Sequence, residues 1–319
     1  MIVLGIDGGA SKTHAVLADG QGNVVGVGRA GCSNWEIVDL DGAKRALQKA
    51  IGQALADAGI SAGQIDAAGY GLAGLDCPSD EGRLKPVVES LGIDASYALV
   101  NDAFLPLRAG TTDGIGLGAI AGSGTTVVGR NRDGKTDRSF GVGYPLTDWG
   151  GAGDIVTEAV HAVALAYRGM GPETSLAERL LRATKCADLA ELFEKVMRWQ
   201  LDLGGRFAPQ VFEAAHEGDV VAQSIVRRVG TSIGANAISV AGNLGMLDEA
   251  FPLVTAGGVF SSRSDLLNDS LLKAIRAKAP QAYLVYWDSH PVVGAMLLAF
   301  DLVALASLPS TELMAVQRW

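Results

Sequence analysis

Three short glycine-rich segments hold the residues of this chain best suited to chemistry. The first, GIDGGASKT (5–13), ends an apolar run on an acid, turns through two glycines and reopens with Ser-Lys-Thr. Without a Cβ, Gly8 and Gly9 let backbone N–H groups converge on an anion. Ser11 and Thr13 add hydroxyl donors, and Lys12 adds charge. Asp7 is a natural seat for hydrated Mg²⁺, which prefers one or two carboxylates together with phosphate oxygens. The segment is not a Walker A loop: G-x-x-x-x-G-K-[ST] does not fit, and a strand rather than a helix follows. The plain structural alternative is a type I′ hairpin turn. The second segment, GAIAGSGTT (118–126), repeats the arrangement with Gly122, Ser123, Gly124, Thr125 and Thr126. One such turn says little, but two in matching places could grip a polyphosphate from both sides of a cleft. The third, TAGGVFSS (255–262), runs from a strand through Gly257 and Gly258 into serines that open a helix. A flat Gly-Gly backbone admits a base or ribose, and a helix N-terminus favours an anion. Its alternative is a strand-to-helix turn with capping serines.

The elements that must position these residues follow from periodicity. Segment 1–7 reads as a buried strand, 13–18 as its hairpin partner and 24–28 as a third strand. Apolar residues at Ala43, Ala46, Leu47, Ala50, Ile51 and Leu55 predict a helix over 42–57. Strands at 67–72 and 97–100 flank a helix near 81–91. The order then begins again. Strands at 114–121 and 125–130 lead to a third near Ser139, followed by helices at 155–167, 189–200, 208–217 and 220–244. Strands at 251–256 and 283–285 flank a helix at 264–278. The chain therefore reads as two copies of a βββαβα core, the second enlarged by helices.

Composition narrows the possibilities. At 319 residues, two domains are expected, and 48% apolar residues supply a large core. The 42 glycines are near twice the usual share of about 7%, without collagen periodicity. A net charge of −9 argues against nucleic acid as the main partner. Cys32, Cys77 and Cys186 lie far apart, which excludes a cysteine zinc site and fits a reducing, cytoplasmic compartment. No signal peptide opens the chain, since Asp7 interrupts the first apolar stretch. Segment 291–309 is apolar enough to resemble a membrane span. Asp301 sits inside it, where a charge is costly in lipid, so it reads as a buried helix and no membrane partner is expected. Asp76, Asp80 and Glu81 read as a solvated loop and helix start, and His290 as a structural histidine near the third segment.

The three segments resemble the two phosphate motifs and the adenosine motif of the actin/hexokinase/heat-shock-70 ATPase superfamily. Within it the chain resembles the N-acetylglucosamine kinase branch, which also contains the BadF/BadG-type ATPases. The resemblance spans residues 5 to 294. It implies an α/β fold of two ribonuclease-H-like domains, 1–108 and 109–291, around a central nucleotide cleft, with a helix at 292–308 packing back on the first. It implies ATP and Mg²⁺ as cofactors, with Gly8, Gly9, Ser11, Lys12, Thr13, Gly122, Ser123, Gly124, Thr125, Gly257 and Gly258 holding nucleotide. In VNDA (100–103), Asp102 would accept the proton of the attacking hydroxyl, its structural alternative being a helix N-cap. GCSNWE (31–36) resembles the sugar loop, with Asn34 as amide contact and Trp35 as a wall. GVGYPLTDWGGA (141–152) resembles the segment in which Gly141 and Asp148 bind sugar hydroxyls. There the chain departs from the pattern: Trp149 stands where an acid is usual, and Tyr144 and Pro145 are unexpected. The implied activity is ATP-dependent phosphorylation of the 6-hydroxyl of N-acetylglucosamine, by a homodimer. Glucosamine, N-acetylmuramate and glucose are alternative acceptors. A reductase-activating ATPase would need closely placed cysteines for an iron–sulfur cluster, and a non-catalytic ATP-binding protein would not need Asn34, Asp102 and Asp148.

Overall fold

A computed structural model describes residues 1–144 and 146–303. Pro145 and the end of the expected terminal helix, 304–308, lie outside the described residues. The chain divides into two compact units, one of Met1–Ile115 with the described residues from Trp287 to Val303, the other Gly116–Tyr286.

In the first unit β1 (Ile2–Gly8), β2 (Thr13–Asp19) and β3 (Val24–Ala30) form an antiparallel meander. Helix α1 (Trp35–Ala58) leads to β4 (Ala67–Leu72), and α2 (Pro78–Glu89) to β5 (Ser96–Asn101) and the short α3 (Phe104–Ala109). The sheet order is β3-β2-β1-β4-β5, with β1, β4 and β5 parallel. Successive strand residues point to opposite faces. Leu4, Ile6, Ala15 and Leu17 therefore join the core beneath α1 and α2, with Leu47, Ile51 and Leu84. Val3, Val16 and Ala18 face the other way, into a second core with Val293, Met296 and Phe300. Helix α1 begins before the expected 42–57 because Asp39 takes φ 58°, a kink that hides the first turns from a 3.6-residue period.

In the second unit β6 (Gly116–Ala121), β7 (Thr125–Arg130) and β8 (Thr136–Arg138) repeat the meander. Five helices follow: α4 (Ala152–Tyr167), α5 (Leu176–Thr184), α6 (Leu189–Met197), α7 (Ala208–His216) and α8 (Val220–Asn243). Then come β9 (Pro252–Ala256), α9 (Asp265–Arg276) and β10 (Tyr283–Tyr286). The sheet order β8-β7-β6-β9-β10 reproduces that of the first unit, again with the last three parallel. The βββαβα core is duplicated.

The last described helix, α10 (Val292–Leu302), belongs to the first unit and lies against β1 and β4. Gly5 and Gly69 make this approach possible: a Cβ on Gly5 would stand 2.6 Å from Met296 Cγ, and one on Gly69 would meet the Ala295 carbonyl. Asp301, the charge in this apolar helix, receives a two-pronged hydrogen bond from the buried Arg108 of α3, both contacts at 2.8 Å. Among the described residues no helix is long and apolar enough to cross a membrane.

Candidate active site

Pairing of β1 with β2 and β4 fixes the first group of candidates. Gly8 pairs with Thr13, Gly8 lies beside Leu72, and Leu72 beside Asn101. The carboxyl ends of the three parallel strands are thus aligned, and Asp7 and Asp102 both sit at that edge. Asp7 is 14% exposed. Its carboxyl is pushed up to about 7 by burial, then by the like charge of Asp102, against a lowering by Lys12. Asp102 directly follows β5 and is not the cap of α3. That place belongs to Ala103, with no side-chain cap, and Ala103 N–H donates to Asn101 Oδ1 at 3.0 Å.

The loop after β1 closes through Gly9 N–H on the Lys12 carbonyl at 2.9 Å, leaving Ala10 and Ser11 at its tip. It is not a type I′ turn, since neither tip residue has positive φ. Ser11 and Lys12 are exposed. Thr13 is fully buried, and its hydroxyl donates to the Gly31 carbonyl at 2.8 Å and pairs with the Ser33 hydroxyl at 2.9 Å. Thr13 therefore fastens the 31–36 loop rather than facing outward. In that loop Asn34 caps α1, accepting from Glu36 N–H at 2.9 Å. Trp35 donates its indole N–H to the Gly74 carbonyl at 2.7 Å, with Arg83 over its ring.

The second unit assembles the other candidates. Gly122 N–H closes the turn on the Gly124 carbonyl, and the start of α4 rests on it, Ala152 N–H donating to the Gly122 carbonyl at 2.9 Å. Ser123 is exposed, whereas Thr125 is buried and donates to the Asp148 carbonyl at 2.6 Å. Gly257 has φ 99°, and a Cβ there would strike the Ala121 carbonyl, so the third glycine segment nests against the end of β6. Val259 N–H bonds the same carbonyl at 3.0 Å. Beside these loops lies a cavity of about 1160 Å³, lined by Gly122, Ser123, Gly258, Ser262 and the α7 residues Phe212 and His216. Pockets that enclose drug-sized ligands run from about 300 to 1,000 Å³, so this cavity is of ligand-binding size. Ser264 caps α9, accepting from Leu267 N–H.

Gly141 and Asp148 come together: Gly141, at φ 76°, donates its N–H to Asp148 Oδ2 at 2.8 Å. Asp148 is fully buried, and its Oδ1 has no hydrogen-bond partner. The Trp149 ring stacks under Arg228 at 4.0 Å, and Arg228 is held by Glu158 at 2.8 Å.

The sequence profile of the BadF/BadG/BcrA/BcrD ATPase family matches residues 4–299. The chain belongs to that family. It is 31% identical over 315 residues to the N-acetyl-D-glucosamine kinase of Dictyostelium discoideum, covering 94% of this chain and 98% of that protein. It is 28% identical to the N-acetylmuramic acid/N-acetylglucosamine kinase of Clostridium acetobutylicum, covering 93% and 97%. In fold it matches a crystal structure of a candidate N-acetylglucosamine kinase from Chromobacterium violaceum, with TM-score 0.69, 22% identity, and 93% and 98% of the two chains covered. It also matches a ROK family glucokinase from Streptomyces griseus, solved with glucose and AMPPNP, with TM-score 0.60, 18% identity, and 95% and 99% covered.

In this member of the BadF/BadG/BcrA/BcrD family, sequence reading left several residues aside. His14 stands directly opposite Asp7 in the β1–β2 pair, its Nδ1 3.9 Å from Asp7 Oδ2. Burial, then the cations Lys12 and Arg29, lower its pKa to about 4. His290 lies edge-on to His14, with ring centroids 6.3 Å apart. The hairpin register was the signal: once the loop closes at Gly9 and Lys12, position 14 must face position 7. Phe212 and His216 had no such signal, because only tertiary packing brings α7 to the cavity. Asp80, expected in solvent, is 4% exposed and accepts the N–H groups of Asp76 and Cys77 at the start of α2.

Proposed function

We propose that the chain is an ATP-dependent amino-sugar kinase that transfers the γ-phosphoryl group to the 6-hydroxyl of N-acetylglucosamine, giving N-acetylglucosamine 6-phosphate and ADP. The family and the kinase relatives support the reaction class. The observation that carries the reading is the placement of two carboxylates, Asp7 and Asp102, at the aligned carboxyl ends of the parallel strands, where burial first and then the Asp102 charge raise the Asp7 carboxyl. Phosphoryl transfer asks chiefly for an oriented nucleophile and neutralised charge.

In this reading the cavity of the second unit takes the adenosine, with Gly257 and Gly258 letting it approach and Gly122 and Ser123 meeting phosphate. Gly8, Gly9, Ser11 and Lys12 contribute N–H, hydroxyl and ammonium groups to phosphate oxygens, while Thr13 and Thr125 hold their loops in shape. Asp102 accepts the proton of the sugar 6-hydroxyl as its oxygen bonds to the γ-phosphorus. The bond from that phosphorus to the bridging oxygen breaks, and ADP departs. Mg²⁺ bound here would neutralise phosphate charge. The residues fit it: Asp7 offers one nearly buried carboxylate, and Mg²⁺ needs only one or two alongside phosphate and water. Asp148 suits an acceptor hydroxyl, because Oδ2 is fixed by Gly141 while buried Oδ1 still lacks a donor. Asn34 and Trp35, anchored on α1, form the other acceptor contacts. The enzyme acts as a cytoplasmic homodimer.

A coupled ADP-release assay with Mg·ATP across N-acetylglucosamine, N-acetylmuramate, glucosamine and glucose tests the reading. Turnover with N-acetylglucosamine and little with glucose is expected. No acceptor-stimulated ADP release from any of the four would overturn it. Trp149, in place of an acid, favours a second reading in which an acceptor altered at positions 2 or 3, such as N-acetylmuramate, is preferred.

A further inference from the structure

Two histidines, His14 buried and His290 half-buried, have no part in the chemistry above, and the placement of His14 follows from strand alternation. On β1, Val3 and Gly5 face α10, so Asp7 faces that side too. On β2, Val16 and Ala18 face α10, and His14 shares their face. Asp7 and His14 are moreover a directly opposed cross-strand pair, the arrangement in which side chains meet most closely. His290 ends the segment that leads into α10, its carbonyl accepting from Val293 N–H at 3.1 Å. Its ring plane is turned 87° to that of His14. The carboxylate of Asp7 thus has the edge of an imidazole 3.9 Å away, and that imidazole is steadied by a second ring at the start of α10.

We infer that His14, steadied by His290, is a positioning residue that sets the orientation of the Asp7 carboxylate for the metal–nucleotide complex. The inference rests on the metal role proposed for Asp7. A carboxylate at a strand end can rotate about its last torsion. An imidazole packed beside one oxygen restricts that rotation and leaves the other oxygen for the cation. His14 therefore acts through Asp7 and touches neither nucleotide nor acceptor. Outer-shell groups hydrogen-bonded to a metal ligand typically account for about 10- to 100-fold in metal affinity; His14 Nδ1, at 3.9 Å, packs against Asp7 without a hydrogen bond to it, so the lower end applies.

The geometry also says which substitutes should work. Nδ1 is the nitrogen that faces Asp7, and the amide of asparagine stands close to that position, whereas the amide of glutamine stands near Nε2. Binding of AMPPNP is measured by titration calorimetry across Mg²⁺ concentrations, with unliganded melting temperature recorded on the same samples. His14→Leu is expected to need about tenfold more Mg²⁺ for half-maximal nucleotide affinity. Its nucleotide affinity in EDTA should stay at the wild-type value. His14→Asn is expected to stay within about threefold of wild type, His14→Gln to fall between, and His290→Leu to show a smaller shift of the same kind. Asp7→Asn is measured alongside. A wild-type Mg²⁺ requirement in His14→Leu, with a raised one in Asp7→Asn, would overturn the inference and leave the role of Asp7 standing. An unchanged requirement in Asp7→Asn would remove both. If the leucine variant does not fold, the asparagine–glutamine contrast decides alone, and equal requirements in the two overturn the inference.

Discussion

Asp102 differs from a helix cap by one residue, and that difference can be tested. Ala103, not Asp102, holds the cap position of α3, and that cap carries no side-chain hydrogen bond. Asp102→Asn should therefore melt near wild type while kcat falls by about 10²- to 10⁴-fold, the usual span for a general base. A variant that melts several degrees lower yet turns over within about threefold of wild type would take Asp102 out of the mechanism. Asp7 makes a second prediction, read through pH. An acid held near 7 in the folded chain, against the ordinary 3.8, binds its proton more tightly folded than unfolded. The stability it contributes is complete below about pH 4 and is lost as pH rises through about 7. Urea unfolding of the unliganded wild type and Asp7→Asn should show their stability difference moving in favour of the variant from pH 4.5 to pH 8. His14, held near 4 against an ordinary 6.5, works in the opposite sense over pH 4 to 6.5, but it is present in both proteins. A difference that does not change with pH would show Asp7 to be ionised with an ordinary pKa.

At the scale of elements, the strands and glycine turns were legible because their signals are local. Alternation, β-branched runs and paired glycines placed β1, β2, β6, β7 and β9 within a few residues. Helix α3 was not legible, since six residues between Ala103 and Gly110 carry no period. Helix α5 was missed as well. The early start of α1 was hidden by the kink at Asp39. The site divides in the same way. Asp7, Asp102 and the glycine loops could be read as motifs, whereas the commitments of Thr13 to Gly31 and of Thr125 to Asp148 appear only once strands are paired. Gly257 joins both levels. Its φ of 99° and the Ala121 carbonyl behind it leave no place for a Cβ. Gly257→Ala should cost about 1 to 3 kcal/mol of stability and weaken nucleotide binding, because the loop must leave the end of β6. Gly258→Ala, where a Cβ meets nothing within 4 Å, is the control for stability. Equal melting temperatures for the two variants would contradict that account.

For the whole molecule, the consequential feature is that the first unit is closed by a helix from the far end of the chain. Helix α10 completes one face of its sheet, and Arg108 to Asp301 ties that helix to α3 across 193 residues of sequence. The Arg108 side chain is 4% exposed and that of Asp301 36%, so the guanidinium is the group that cannot turn to water if its partner is removed. Breaking such a pair from one side leaves a buried charge uncompensated, at a typical cost of about 3 to 5 kcal/mol, with the lower end expected here because Asp301 meets solvent. Asp301→Asn should therefore lower the stability of the first unit and leave the second as it was, separating two transitions where one cooperative transition is no longer guaranteed. Among the described residues, Trp35 and Trp287 lie in the first unit and Trp149 and Trp199 in the second. Urea unfolding followed by hydrogen exchange should show β1, β4 and α3 losing protection before β6 and β9 in the variant. Adding AMPPNP should move only the later transition if the cavity of the second unit holds the nucleotide by itself, since a ligand stabilises only the state that binds it. A single coincident transition in both units, shifted as a whole by Asp301→Asn, would mean instead that the two units fold as one cooperative body, with α10 fastening the entire molecule.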